Sequence, residues 1–280
     1  MLLLDNKKIK FGYFPNGERY LNYNTLAFSS HSTVTLKYES DQDLFDLFVL
    51  KRYLDEAFGG KPAQFALDIL YMPYSRMDRA NMFYAFSLKY VCDFINGLNF
   101  GRVRVLDAHS DVTLALLNNV VEASMTSHLF GVMHQEFPSE DLVVMYPDAG
   151  AQKRYGKLFG YPTVVGHKER DFGTGAITKF SLSGADVQDK MVAIVDDLCS
   201  KGGTFIGAAQ ALRDKGAKRV MLIVTHCEET IFAGDIFYTD LIDRVYTTNS
   251  IIAETLESHK SAKDWLLGKL YIEKLYEEAT

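Results

Sequence analysis

The feature that most constrains the fold is an alternation of short apolar runs with segments of helical periodicity. The apolar runs, rich in β-branched or aromatic residues, are Phe65 to Tyr71, Val103 to Leu106, Leu142 to Met145, Thr163 to Val165, Met191 to Val195 and Val220 to Val224. Between several of them, apolar residues recur at helical spacing, as in Phe205, Ala208, Ala209 and Leu212. Buried strands that alternate with helices predict an α/β protein with mainly parallel sheets flanked by helices.

The length of the chain allows two domains of ordinary size. Its 280 residues are 48% hydrophobic, which is ample for packed cores. The segment 135–141 contains Pro138 and Ser139 and is the best candidate for a joint. We therefore predict an N-terminal α/β domain over residues 1–134, a C-terminal α/β domain over residues 135–252 and a helical segment over residues 253–280.

The charge and the cysteines restrict the partners and the compartment. A formal net charge of −6 gives no general attraction to nucleic acid or to an anionic membrane, so we expect neither partner. The three cysteines include no CxxC pair, which argues against a disulfide framework and a zinc site. The apolar start Met1–Leu4 is too short for a signal-peptide core. These features favour a cytoplasmic protein.

The strongest local signal begins where the apolar run Met191–Val195 leads into Asp196 and Asp197. Ligands of open α/β sheets bind at the carboxyl ends of strands, and a glycine pair before a helix can surround a phosphate with backbone N–H groups. The two carboxylates suit neighbouring hydroxyls, such as those on ribose C2 and C3. The candidate phosphate contacts are Ser200, Lys201, Gly202, Gly203 and Thr204. The alternative is an ordinary turn in which Asp197 or Ser200 caps the helix.

This arrangement of an apolar strand, Asp-Asp and a loop ending in Gly-Gly-Thr resembles the phosphoribosyl-diphosphate loop of two enzyme groups. They are the type I phosphoribosyltransferases and the phosphoribosyl-diphosphate synthetases, or ribose-phosphate diphosphokinases. The resemblance implies two type I phosphoribosyltransferase-like domains. No GxxxxGK[ST] pattern is present, so the loop is not a Walker A loop.

Other segments resemble the synthetases in particular. Residues 14–18 are similar to the synthetase segment F-x-D-G-E, with Asn16 where aspartate is usual, and residues 73–79 are similar to P-Y-x-x-x-R-Q-D-R, with Met77 where glutamine is usual. Residues 107–111 resemble the segment that begins D-x-H. The resemblance implies ATP contacts by Phe14, Asn16, Glu18, Arg76, Met77 and His109. For residues 14–18, a simple hairpin turn is an equally good interpretation.

Two further segments complete the resemblance. Residues 143–150 are similar to the metal-binding V-x-P-D-x-G element, and residues 167–171 are similar to a mobile K-x-R loop. The resemblance implies a Mg²⁺ cofactor held with help from His109 and Asp148, and charge stabilisation by Lys168 and Arg170. The alternative interpretation is that Lys168 and Arg170 belong to a solvated basic loop with no catalytic role.

The implied activity is transfer of the β,γ-diphosphate of ATP to the anomeric hydroxyl of ribose 5-phosphate, a reaction of nucleotide biosynthesis. Because Ser200 and Lys201 stand where synthetases usually have an acidic residue and threonine, ADP-ribose is an alternative acceptor, as in NAD⁺ rebuilding. Two other hypotheses remain open, a type I phosphoribosyltransferase and a non-catalytic subunit associated with a synthetase. The resemblance also implies a homo-oligomer, either a dimer or a hexamer.

Overall fold

A computed structural model of the chain describes residues 1–23, 26–59, 65–138, 140–170, 177–253 and 268–276. For residues 168–170 and 177–179 it describes the backbone and not the side chains. No helix in these ranges combines the length and the apolarity needed to cross a lipid bilayer. The chain divides into two compact units, which are Met1–Ser124 with the residues from Tyr276, and Met125–Leu275.

The first unit is built on one six-stranded sheet and a separate hairpin. Its strands are β1 (Leu2–Leu4), β2 (Lys7–Lys8), β3 (Phe11–Tyr13), β4 (Arg19–Leu21), β5 (Thr33–Leu36), β6 (Ala66–Ile69), β7 (Arg102–Leu106) and β8 (Val120–Ala123). Its helices are α1 (Gln42–Ala57), α2 (Ser87–Gly97) and α3 (Asp111–Leu116). The sheet order is β2-β1-β5-β6-β7-β8, with β5 to β8 parallel, and β3 pairs with β4.

The second unit is built on one seven-stranded sheet. Its elements are α4 (Thr126–Glu136), β9 (Leu142–Tyr146), α5 (Ala149–Tyr155), β10 (Thr163–Arg170), β11 (Ile177–Gly184), β12 (Met191–Cys199), α6 (Gly203–Asp214), β13 (Arg219–Cys227), a 3₁₀ turn (Glu229–Ala233), β14 (Arg244–Thr248) and β15 (Leu270–Glu273). The order is β11-β10-β9-β12-β13-β14-β15, and every pair is parallel except β10 with β11.

Alternate side chains of β12 enter two different cores, as the twofold periodicity of a strand requires. Val192 and Ile194 pack in the cluster that contains Leu212 of α6. Ala193 and Val195 pack in the cluster that contains Tyr155 of α5. Helices therefore cover both faces of a mainly parallel sheet, which confirms the predicted α/β class.

Three features differ from the sequence-based expectations. The units meet at residues 124/125, whereas the predicted boundary at 134/135 falls inside α4. The predicted C-terminal helical segment instead contains the strand Leu270–Glu273, because the free edge of β14 offers hydrogen-bond partners to its backbone. Residues 254–267 and 277–280 of that segment lie outside the described residues. Strand β12 also continues through Asp196 and Asp197 to Cys199, because its pairing with β13 extends that far.

Leu212 tests the importance of the α6 face of the second core. Its side chain is fully buried, whereas Leu158 in the same unit is 46% exposed. We expect Leu212→Ala to lower the free energy of unfolding by about 2–5 kcal/mol, because it removes buried contacts and leaves a cavity. The exposed control Leu158→Ala should cost less than about 1 kcal/mol. Urea denaturation measures both, and equal losses would contradict this packing.

Candidate functional site

Two acidic positions lie at the carboxyl ends of neighbouring strands in the second unit. Asp148 follows β9, and Asp196 lies near the end of β12, which pairs directly with β9. Asp148 caps helix α5, since its Oδ1 accepts a hydrogen bond from the Ala151 N–H at 3.0 Å. The parallel register therefore brings the predicted metal residue to the same sheet edge as the predicted ribose residues.

Asp196 and Asp197 differ in exposure, although they are adjacent in sequence. Asp196 is partly exposed, whereas Asp197 is buried. Asp197 continues the face of Ala193 and Val195, where its Oδ1 lies 2.7 Å from Nη1 of Arg154 in α5. Of the pair, Asp196 is thus the better placed to meet a ligand.

The carboxylate of Asp196 is electrostatically unfavourable in the free protein. Although the residue is partly exposed, desolvation of its carboxylate raises its pKa well above the usual range, and the negative charges of Asp197 and Asp148 raise it further. The backbone N–H of Asp197 donates to Asp196 Oδ1 at 3.0 Å, which opposes this shift. A ligand that donates hydrogen bonds or brings a cation would relieve the repulsion.

The loop after β12 ends in a left-handed glycine immediately before a helix. Gly202 caps α6 with φ +84°, and a Cβ at this position would stand 3.0 Å from a side-chain carbon of Ile236. Glycine is therefore required for both the left-handed backbone and the close approach. Helix α6 begins at Gly203. Lys201 and Gly203 are exposed and Ser200 and Thr204 are partly exposed, so these four residues are accessible to a ligand, whereas Gly202 is buried.

A group of buried polar side chains continues this edge of the sheet. Thr225, His226, Thr248 and Ser250 are buried at the ends of β13 and β14. The hydroxyl groups of Thr248 and Ser250 donate to the Thr225 carbonyl, and Ser250 Oγ lies 2.8 Å from His226 Nδ1. None of these four residues was predicted to have a role at the site, although polar residues after apolar strands are the signal that could have found them.

The basic residues Lys168 and Arg170 lie on a strand rather than in a loop. Their backbone belongs to β10, which forms an antiparallel hairpin with β11 and has a register shift between Glu169 and Arg170. The predicted mobile segment ended at Asp171, and residues 171–176 and the side chains of both basic residues lie outside the described residues. The expectation of a loop is therefore wrong for residues 167–170.

In the first unit, two predicted ATP segments follow the neighbouring strands β6 and β7. Arg76 is exposed, while Met77 and His109 are partly exposed. Asp78 belongs to the first of these segments and interacts with Ser110 and His109 of the second. Burial raises its pKa, but hydrogen bonds from Arg79 and Ser110 and the charges of Arg79 and His109 hold the pKa below its usual value. Asp78 thus joins the two segments, a role that was not predicted for it.

Unusual backbone conformations occur at the same ends of these strands. Tyr74 after β6 has φ +61°, and Asp107 after β7 has φ +36°. Such conformations cost free energy in residues other than glycine and concentrate at functional sites. They therefore support a ligand site at this edge of the first sheet.

The Phe14 segment is a hairpin turn, as the alternative interpretation predicted. Phe14 N–H donates to the Glu18 carbonyl at 2.8 Å, and Gly17 between them has φ +89°. Phe14, Asn16 and Glu18 are all exposed. The turn therefore presents its side chains to solvent, which is compatible with ligand contact.

The two glycines of the loop allow a direct test of its backbone. We expect Gly202→Ala to lower the free energy of unfolding by about 1–2 kcal/mol, because alanine is strained at this φ and its Cβ crowds Ile236. Gly203→Ala is the control, since an added Cβ there meets no atom within 4 Å, and it should change stability by less than about 0.5 kcal/mol. Equal effects in urea denaturation would refute the left-handed conformation.

Asp196 makes stability depend on pH in a defined direction. Its raised pKa means that the native state holds a proton more tightly than the unfolded chain does, so stability falls as pH rises from the unfolded value of about 3.9 towards the native one. We expect Asp196→Asn to remove this fall and to be more stable than wild type at pH 7 but not at pH 4. Thermal unfolding measures this, with the exposed Asp235→Asn as control. An equal difference in stability between Asp196→Asn and wild type at pH 4 and at pH 7 would contradict this prediction.

Comparisons with known proteins identify the family of this chain. A family model described as a phosphoribosyl synthetase-associated domain matches residues 179–265. A ribose-phosphate pyrophosphokinase of Mycoplasma pneumoniae is 30% identical over 85% of this chain and 74% of its own length, and one of Porphyromonas gingivalis is 27% identical over 78% and 70%.

A solved structure supports the fold over nearly the whole chain. The phosphoribosylpyrophosphate synthetase of Mycobacterium smegmatis superposes with a TM-score of 0.73 at 21% identity, covering 96% of this chain and 86% of that one. The fold is thus that of type I phosphoribosyltransferases, as the resemblance implied. Together with the sequence matches, it shows that the chain belongs to the ribose-phosphate pyrophosphokinase family and is an enzyme that transfers diphosphate.

Proposed function

We propose that this enzyme transfers the β,γ-diphosphate of ATP to the anomeric hydroxyl of ribose 5-phosphate, which gives phosphoribosyl diphosphate and AMP. The observation that carries the proposal is the carboxylate pair Asp196 and Asp197 at a parallel sheet edge, followed by the left-handed Gly202 at the start of α6. Carboxylates for the ribose hydroxyls and a helix start for a phosphate are thus parts of one continuous segment.

The acceptor binds in the second unit. Asp196 accepts hydrogen bonds from the ribose hydroxyls, which relieves the repulsion that raises its pKa. The 5-phosphate binds to the loop formed by Ser200, Lys201, Gly202, Gly203 and Thr204. Backbone N–H groups at the start of the twelve-residue helix α6 stabilise its negative charge, and Lys201 adds a cation.

ATP binds through the first unit. Arg76 is exposed and offers its guanidinium to the phosphates, since a planar fork of donors suits phosphate oxygens. The exposed ring of Phe14 stacks on the adenine, and Glu18 accepts from its exocyclic amine. The remaining contacts are those assigned to Asn16, Met77 and His109.

The site suits Mg²⁺ by the chemistry of its donors. Carboxylate oxygens are preferred ligands, and the ion is usually held by one or two carboxylates together with substrate phosphates. By the family resemblance, Asp148 would supply a carboxylate to the ion and His109 would assist. No cluster of three His, Cys, Asp or Glu side chains suited to a metal occurs in the described ranges. When bound, the ion neutralises charge on the phosphates.

The transfer itself is a displacement at phosphorus. The anomeric hydroxyl releases its proton to water as its oxygen forms a bond to the β-phosphorus. The bond from the β-phosphorus to the oxygen that it shares with the α-phosphate breaks, and AMP leaves with the electron pair. Positioning and charge neutralisation supply most of the catalysis in such reactions. Lys168 and Arg170 stabilise the charge that develops on the bridging oxygen and on the migrating diphosphate.

A second acceptor, ADP-ribose, is favoured by one feature of the loop. Lys201 is exposed next to Gly202, and Ser200 before it carries no charge. A 5-phosphate that bears a second phosphate group would gain a cation from Lys201 without meeting a carboxylate at position 200. The acceptor assay below separates the two substrates.

We also propose that the enzyme is a homo-oligomer whose adenine site is completed by a neighbouring copy. The hairpin β3–β4 exposes three aromatic rings, those of Tyr13, Phe14 and Tyr20. Phe14 and Tyr20 have ring centroids 5.0 Å apart and form one aromatic surface. Exposed rings of this kind suit contact with a nucleotide and with another protein surface.

The proposal is tested by AMP formation from ATP in the presence of Mg²⁺, with ribose 5-phosphate and ADP-ribose as acceptors. We expect AMP with ribose 5-phosphate and a loss of at least about 100-fold in kcat for Lys168→Ala, because a charge that stabilises the transition state is removed. Preference for ADP-ribose would favour the second acceptor. AMP formation with neither acceptor would overturn the proposal.

A further inference from the structure

One of the two carboxylates of the proposed acceptor site, that of Asp197, forms a partly buried ion pair with Arg154. Arg154 Nη1 is 2.7 Å from Asp197 Oδ1, and the two side chains are 21% and 5% exposed. We propose that Arg154 is a positioning residue, which holds Asp197 and thereby sets the position of Asp196 for the acceptor hydroxyls. This inference rests on the proposed function and assigns a role to a residue outside the motifs.

The short helix α5 connects both acidic strand ends. Asp148 caps its first turn, and Arg154 lies in its last turn. The cap faces the end of β9, while Arg154 reaches β12 through Asp197. A displacement of Arg154 would therefore disturb Asp197 directly and would loosen the helix that carries Asp148.

The guanidinium is itself held in place from a second side. Its central carbon lies 5.6 Å from the ring centre of Tyr155, and that ring is almost completely buried. Burial disfavours the charge of Arg154, but the nearby Asp197 outweighs it and raises the pKa of the guanidinium. Arg154 therefore stays charged, and its planar group is oriented towards the carboxylate.

The charge balance of the site explains why this pair affects the acceptor. Asp148, Asp196 and Asp197 are close enough for the first and third to raise the pKa of the second. An acceptor that carries a phosphate is repelled by such a cluster, and Arg154 offsets one of its charges. Because a buried carboxylate without its partner is strongly unfavourable, Asp197 would turn away if Arg154 were removed. The backbone N–H bond from Asp197 to Asp196 would then be distorted.

Because Arg154 acts through Asp197, the effects of changing the two residues should not add. We expect Arg154→Met to raise the KM for ribose 5-phosphate by about tenfold or more, and the KM for ATP much less. Asp197→Asn should raise the KM for ribose 5-phosphate as well. The double variant should be no worse than Asp197→Asn alone, since the interaction is already lost. Arg154→Lys retains the charge and should recover part of the loss.

The matched control is Arg244→Met, which removes another partly buried arginine–carboxylate pair, with Glu136, at the amino end of β14. It should lower thermal stability without changing the KM for ribose 5-phosphate. Equal KM values for wild type and Arg154→Met, or fully additive effects in the double variant, would overturn the inference. If Arg154→Met does not fold, Arg154→Lys is compared with wild type instead. A higher KM for ribose 5-phosphate in Arg154→Lys supports the inference, and an equal KM overturns it.

Calorimetric binding of ribose 5-phosphate without ATP separates the two proposals. Inactive wild-type enzyme would refute the proposed function, whereas active wild type with an unchanged Arg154 variant would refute only this inference. Weaker binding of ribose 5-phosphate to Arg154→Met than to wild type and to Arg244→Met supports the inference. Equal binding by all three, or no binding to wild type, overturns it.

Discussion

The structure of the candidate acceptor site depends on the parallel pairing of β9, β12 and β13. In this arrangement Ile194 lies opposite Met145 on one side and Leu222 on the other, so the register is continuous across three strands. Apolar clusters on both faces of the sheet oppose a shift by one residue, because such a shift would exchange the two faces. The same register places the residues at the carboxyl ends of these strands along one edge of the sheet. Asp148 and Asp196 are therefore neighbours there.

The polar residues at this edge include arrangements that are unfavourable in the free protein. Asp196 lies near the carboxylates of Asp197 and Asp148, and the resulting repulsion disfavours its charged form. Gly202 adds a left-handed backbone conformation that is unfavourable for residues other than glycine. Strained and repulsive arrangements of this kind persist only where the surrounding core fixes them, and here the clusters around α5 and α6 do so. A substrate that donates hydrogen bonds would recover part of that free energy on binding.

The family resemblance was informative because several separate segments agree with the topology. The predicted strands before Asp148, Asp196 and His109 all exist, and each of these residues lies at a carboxyl end. The resemblance was less reliable for local conformation. Residues 167–170 form a paired strand instead of a loop, since β11 supplies hydrogen-bond partners that no short motif reveals.

The sequence by itself determined the α/β class, the strands before the acidic residues and the glycine turn that opens α6. These features depend on local periodicity and on residue types with strong backbone preferences, which one segment contains in full. The tertiary structure alone decided that Asp197 is buried against Arg154, that Asp78 contacts the segment after β7 and that Leu270–Glu273 is a strand. Each of these depends on contacts between residues distant in sequence, or on an edge that only the assembled sheet provides, and periodicity carries no record of such partners.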